Sequence, residues 1–408
     1  MKQSLILFAL GVALVSGCVE ISPSPSPTPS VAPTSVPSVQ PTTALTNQVD
    51  AVVATVPAVR ELESTRDVPY EFITREQFQE DLVELNDAEV PADVRRAEER
   101  LYKRLGLLAE DADLDALVQE LYGAQVLAYY QPENGHFYLI EADRPFGATD
   151  KLVVAHEYTH ALQDQHFNLN DTISDYTQGD AQLAELAVIE GDATLTSQLW
   201  TTENLDFGDL LQLLIEGFSQ LDEASLDGFP LVLRRQLEFP YTEGFVFATA
   251  LHDEDGFAAV NDALITPPAS TEQILHPEKY WAGEIPAAVP APDLLDQLGP
   301  DWHVAYEQTL GELGIQILAA GGEVPDGALP GLPVDWPHAD AAAGWDGDRL
   351  VMYESSDGHW RIEWTSVWDS AADAMEFKSR IDELSGTFTG VTVAGINGKR
   401  VDVSIADR

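Results

Sequence analysis

The stretch Val153-Val154-Ala155-His156-Glu157-Tyr158-Thr159-His160-Ala161-Leu162 decides how this chain is read. Together with its flanks, from Lys151 to Phe167, it keeps the apolar spacing of a helix. Residues four apart on a helix lie about 40° from eclipsed and about 6 Å along the axis, so the imidazoles of His156 and His160 can converge on one ion. Zinc suits two neutral histidines. Glu157 stands beside the first of them, where its carboxylate reaches water at the ion without occupying a ligand position. Zinc brings the pKa of such a water down toward about 7, and Glu157 would take its proton, orient the hydroxide and pass the proton to a leaving amine. The chemistry expected of this pattern is hydrolysis of a peptide bond. Three fixed residues carry limited information alone, and the preceding strand and the strongly apolar helix supply the context.

A catalytic zinc takes a third protein ligand, and two positions compete for it. His166 falls where the metzincin motif, His-Glu-x-x-His-x-x-Gly-x-x-His, has its last histidine. Gln163 replaces the glycine that lets the chain leave the helix there. If the helix runs on through Gln165, His166 points about 240° away from His160. Met352 and Met375, the only methionines after the initiator, are too far along the chain to offer a nearby Met-turn.

Glu190 lies in Leu186-Ala187-Val188-Ile189-Glu190-Gly191-Asp192-Ala193, on the next helical stretch, after a segment long enough for that helix to pack back across the first. Here the chain resembles the gluzincins, the thermolysin-like clan whose third ligand is a glutamate on a following helix. Glu190-Gly191-Asp192-Ala193 is similar to the Glu-Gly-x-Ala run that carries this glutamate in zinc aminopeptidases. The resemblance covers mainly Val153 to Thr196 and implies Zn2+ held by His156, His160 and Glu190; Glu185, on the same helical stretch, is the alternative carboxylate. Gly191 and Ala193 permit close approach of helices. Asp192 is available to orient a ligand histidine, although it lies about 200° from Glu190 on a regular helix.

Peptide hydrolysis also needs a donor to the developing oxyanion. Tyr241, in Phe239-Pro240-Tyr241-Thr242-Glu243-Gly244, and His276, in the stretch from Ser270 to Tyr280, are the candidates. That stretch and the Glu-Gly-Asp-Ala run together resemble a poorly characterised family of bacterial secreted zinc peptidases. In gluzincins a Tyr or His from the C-terminal subdomain plays this part, so the resemblance implies the role without locating it.

At the start of the chain, Lys2, the apolar run Leu5 to Val15 and the small residues Ser16 and Gly17 read as an export signal. Val15-Ser16-Gly17-Cys18 resembles the lipobox of bacterial lipoproteins. Cys18 is the only cysteine, with no partner for a disulfide, so it is expected to carry a lipid and to hold the protein outside the cytoplasm on a membrane. The stretch 19–48, dominated by Pro, Ser and Thr, cannot build a core and reads as a tether.

The remainder reads as α+β. A mainly helical, zincin-like domain is expected at 49–330, with a hairpin of 125–130 and 136–140 forming a small sheet beside the motif helix. Prolines at 330, 333 and 337 suggest a boundary, followed by a small α+β domain at 338–408 with a hairpin turning at Asn397-Gly398. Helix starts are expected at Thr74 and Asp113.

With 45% hydrophobic residues among 408, the chain can bury a substantial core. Its 69 acidic against 21 basic residues give a net charge of -48, which repels nucleic acid; the expected partner, a peptide or protein substrate, follows from the metal-site pattern instead. Neither a Gly-x-Ser-x-Gly elbow nor a P-loop is present. The rival class is a lipid-tethered envelope protein that uses the same scaffold to bind a partner or a structural metal without turnover.

Overall fold

The computed structural model describes residues 42–141, 144–171, 178–220, 226–325 and 335–407. Cys18, the leader and most of the tether lie outside them, as does Pro330. The chain is α+β; among the described residues helices predominate and there are two small sheets at separate places.

The helices α1 (Thr43–Val53) and α2 (Val56–Arg60) come first, then a short strand β1 (Tyr70–Ile73). The helices α3 (Arg75–Glu89), α4 (Ala92–Arg104) and α5 (Leu114–Gln125) follow. Thr74 starts α3 by the reciprocal bonds expected of a capping box: its hydroxyl accepts from Gln77 N, and its own N–H donates to the Gln77 side chain. Asp113 caps α5 through Ala116 N. The hairpin β2 (Ala128–Gln131) and β3 (His136–Ile140) completes the first sheet, in the order β1-β3-β2, with β1 parallel to β3. β1 falls within the region whose spacing predicts helices; its four residues are too few to register as alternation.

The motif helix α6 (Ala148–Phe167) opens with Gly147 N–H donating to the Asp150 carboxylate and closes at Asn168 in the left-handed region. Val153, Val154 and Leu162 of α6 are fully buried against Tyr130, Phe137 and Leu139 of the hairpin and against Val49, Val52 and Val56 of α1 and α2. Each such side chain contributes about 1.5–3 kcal/mol by leaving water. Next come α7 (Gly179–Asn204), α8 (Phe207–Gln220) and the long α9 (Leu231–Ile265). The spacing predicts two helices at 244–251 and 256–264; α9 is two helices joined across non-helical backbone at Asp255 and Gly256, and the first begins at Leu231, well before Pro240. α9 packs along α7 over a core containing Ala187, Val188, Phe239 and Phe247.

Three short helices, α10 (Thr271–Leu275), α11 (Pro277–Trp281) and α12 (Leu295–Leu298), lead to the second sheet. It contains β4 (Trp302–Gln308), β5 (Trp345–Ser355), β6 (Trp360–Trp368), β7 (Val391–Asn397) and β8 (Arg400–Ala406). Their order is β4-β5-β6-β8-β7, all antiparallel, with α13 (Gly311–Ala320) and α14 (Ala371–Leu384) beside them. β4 precedes the proline-marked boundary, so this sheet takes a strand from the stretch expected to belong to the larger unit. Its core holds Trp345, Trp364, Trp368 and Phe377, together with Ala97 and Leu101 of α4 and Leu105 just after it.

Candidate metal centre

α6 and α7 pack against each other, and at their contact three side chains meet. His156 and His160 stand one turn apart on α6, with ring planes at 82° and Nε2 atoms 2.9 Å apart. Glu190 of α7 brings Oε2 to 3.0 Å from His156 Nε2 and 3.4 Å from His160 Nε2. The three are 1%, 0% and 1% exposed.

These distances suit a metal ion. In a tetrahedral site with bonds of about 2.0–2.1 Å, ligand atoms are separated by about 3.3 Å. Polar accounting points the same way, because Glu190 Oε1 and both oxygens of Glu157 make no hydrogen bond among the described residues, and buried polar atoms are ordinarily partnered. His156, His160 and Glu190 can therefore hold a metal ion. A second group among the described residues, Glu272, Glu284 and Asp369, has comparable spacing. Lys279 Nζ already sits among those carboxylates, at 2.7, 2.7 and 2.9 Å, and supplies the cation itself.

The protonation states favour ligation. Burial pulls the His156 pKa down to about 4, with His160 adding to it against the hydrogen bond of Glu190, so the ring is neutral at neutral pH. Burial alone would raise Glu190, but the neighbouring imidazoles outweigh it and hold the carboxyl below its ordinary value. Glu157 is the opposite case. Burial, then the charge of Glu190, push it well above the carboxylate range.

Of the two oxyanion candidates, one is close. The Tyr241 ring, on α9, lies with its centroid 6.1 Å from that of His156. Its hydroxyl is held protonated by burial and by the charges of Glu190 and Glu157. His276 is elsewhere, between α10 and α11, 3.2 Å from the buried Glu312 of α13. Thr271 ties that region to Asp180, near the start of α7. Asp180 is ten residues from Glu190, about 15 Å along the helix. The sequence pattern around His276 gives no information on which end of α7 it meets, and His276 does not join the cluster.

His166 lies exposed in the last turn of α6 with Nε2 2.8 Å from Glu63 O, facing away as the continuous helix requires. Glu185 is half-buried and outside the convergent group. Asp192 reaches His160 at one remove, through Gln163, and is ion-paired to the fully buried Arg60 of α2. Gln163 and Arg60 were not among the expected site residues. The i, i+3 spacing from His160 to Gln163 was the available signal; Arg60 has none, because its partner is 132 residues away.

Residues 302–406 match the model of a domain of unknown function (DUF8575), a span that begins with β4 and ends with β8. Comparison with curated proteins and with solved structures found no match.

Proposed function

We propose that this chain is a zinc-dependent peptidase of the gluzincin type, hydrolysing peptide bonds outside the cytoplasm. The observation that carries the reading is the buried convergence of His156 Nε2, His160 Nε2 and Glu190 Oε2, with the carboxylate of Glu157 on the adjoining residue of the same helix. Three protein ligands of this kind leave a fourth position open, the arrangement of catalytic rather than structural zinc. A bound zinc supplies positive charge that acidifies water and polarises a carbonyl.

The chain's own residues do the rest. Glu157, which the positive charge of a bound zinc would favour in its ionised form, would accept a proton at its carboxylate and return it to the leaving amine. The Tyr241 hydroxyl donates a hydrogen bond toward the developing oxyanion. The same reading includes a lipid on Cys18, supported by Val15-Ser16-Gly17-Cys18 and by the lack of any other cysteine. The substrate is a peptide or protein; a chain of net charge -48 is a poor partner for nucleic acid.

One observation favours a second reading, an envelope protein that holds a metal or a partner without turnover. His156, Glu157, His160 and Glu190 are all at most 1% exposed, so a substrate reaches them only if neighbouring side chains give way. Glu157→Gln separates the two. The peptidase reading requires that the purified wild type carry about one zinc per chain and cleave a mixed peptide library. The variant should keep the zinc and lose about 100-fold or more of the cleavage. Zinc with no cleavage in the wild type supports the second reading, and no zinc at neutral pH overturns both metal readings and leaves only the binding of a partner.

A further inference from the structure

Gln163 occupies an unusual place beside the metal centre. It is completely buried, and its amide nitrogen lies 2.9 Å from Ile189 O and 2.8 Å from Asp192 Oδ2. Both of those atoms are acceptors, so the NH2 must face them; the flipped amide would set oxygen against oxygen on two sides. The amide oxygen is then left for His160 Nδ1, 2.8 Å away. An amide oxygen only accepts, so Nδ1 must carry the hydrogen, and the Nε2 of a neutral His160 presents its lone pair toward His156 and Glu190.

Asp192 is itself fixed. Arg60 Nε lies 2.7 Å from its Oδ1 and 3.0 Å from its Oδ2, and neither side chain is exposed. Arg60 in turn donates to Asn261 Oδ1 at 2.6 Å and lies over the Phe257 ring at 4.4 Å. A run of contacts thus joins α9, α2 and α7 to one nitrogen of a histidine on α6.

We propose that Gln163 is the positioning residue of His160, and that the Arg60–Asp192 ion pair sets its amide orientation and thereby selects the tautomer able to bind a metal. The orienting acceptor is a neutral amide, which fixes the ring without placing another negative charge beside it. This inference rests on the metal-centre reading for its purpose, but its tautomer claim holds or fails independently of that reading.

The test begins with the full chain stripped of metal by a chelator. Nitrogen-15 NMR of the imidazoles, with His160 assigned by comparison with His160→Gln, should show His160 protonated at Nδ1; protonation at Nε2 alone would overturn the proposal. Gln163→Leu, which keeps the bulk and removes the acceptor, should give mixed His160 tautomers. It should also weaken zinc binding by about 10–100-fold in competition with a chelator. Unchanged tautomer and affinity would show that Gln163 only fills space.

Gln163→Glu keeps an acceptor toward His160 but turns a carboxylate on Asp192, and should also bind zinc weakly. Combining it with Asp192→Asn restores a donor opposite an acceptor and should recover most of the loss, whereas a double variant no better than Gln163→Glu counts against the relay. If Gln163→Leu does not fold, the wild-type tautomer decides alone. A wild type that binds no zinc removes the metal reading and leaves the tautomer measurement standing.

Discussion

Gly191 of α7 and Gly244 of α9 meet backbone to backbone: a Cβ on Gly191 would lie 2.1 Å from Gly244 O, and one on Gly244 would lie 2.3 Å from Ala187 O. Neither position has room for a methyl group. The contact follows Glu190 by one residue, so the approach of α9 fixes where the Glu190 carboxylate stands. It also brings Tyr241, less than one turn before Gly244, against His156.

Gly191→Ala is therefore expected to force the two helices apart. Overpacking of this kind costs at least about 1–3 kcal/mol, read as a lower urea midpoint, and displacement of Glu190 should weaken zinc binding in the same protein. An unchanged midpoint would mean that the two helices do not touch here.

Metal removal should destabilise the fold. Without a cation, two imidazole nitrogens and a carboxylate face one another in a buried space, and a metal present at 1,000 times its Kd contributes about 4 kcal/mol to the native state. A chelator should lower the thermal midpoint of the wild type. Glu190→Gln, which removes a ligand charge, should lose more than the about 100-fold typical of outer contacts, and its midpoint should no longer respond to the chelator.

Asp180 provides a pH signature away from the metal. Burial raises its pKa to about 7, with the charges of Asp348 and Glu312 adding to the effect against the bonds from Thr271. The native state thus keeps a proton that the unfolded chain releases near pH 4. The contribution of this group is fully present below about pH 4 and is lost as the pH rises to about 7, at about 1.4 kcal/mol per pH unit between those values. Asp180→Asn removes the titration, so its denaturant midpoint should fall less than that of the wild type between pH 4.5 and 7, at roughly matched ionic strength. Parallel curves would contradict the assignment.

Asp348 organises the C-terminal sheet. Its carboxylate accepts from Leu310 N, Gly311 N, Trp345 Nε1 and Trp364 Nε1, at 2.9–3.1 Å. Asp348→Ala leaves those buried donors without a partner, at about 1–3 kcal/mol each. The expected outcome is loss of the fixed tryptophan environment, seen as a collapsed near-ultraviolet circular dichroism signal. A native spectrum in the variant would mean that other acceptors take over.

The parts of the fold that were legible in the sequence are those settled within one element. Thr74, Asp113 and the Asn397-Gly398 turn act on residues within three or four positions, so their meaning does not depend on the rest of the chain. The hairpin of β2 and β3 is of the same kind. β1 and β4 were harder: Tyr70 pairs with Phe137 and Gln308 with Leu350, and neither short strand announces so distant a partner. The prolines from 330 to 337 mark a change of composition, but β4 reaches the C-terminal sheet from before them.

The site divides along the same line. By itself, the sequence determined that His156, Glu157 and His160 share one helix with both imidazoles on one side, because a helical turn is a local geometry. Only the tertiary structure decided that Glu190 meets them, that His166 and His276 do not, and that Gln163 and Arg60 stand behind His160. Those outcomes depend on how closely α7 and α9 approach and on which buried polar atoms find partners there, quantities set jointly by side chains far apart in the chain.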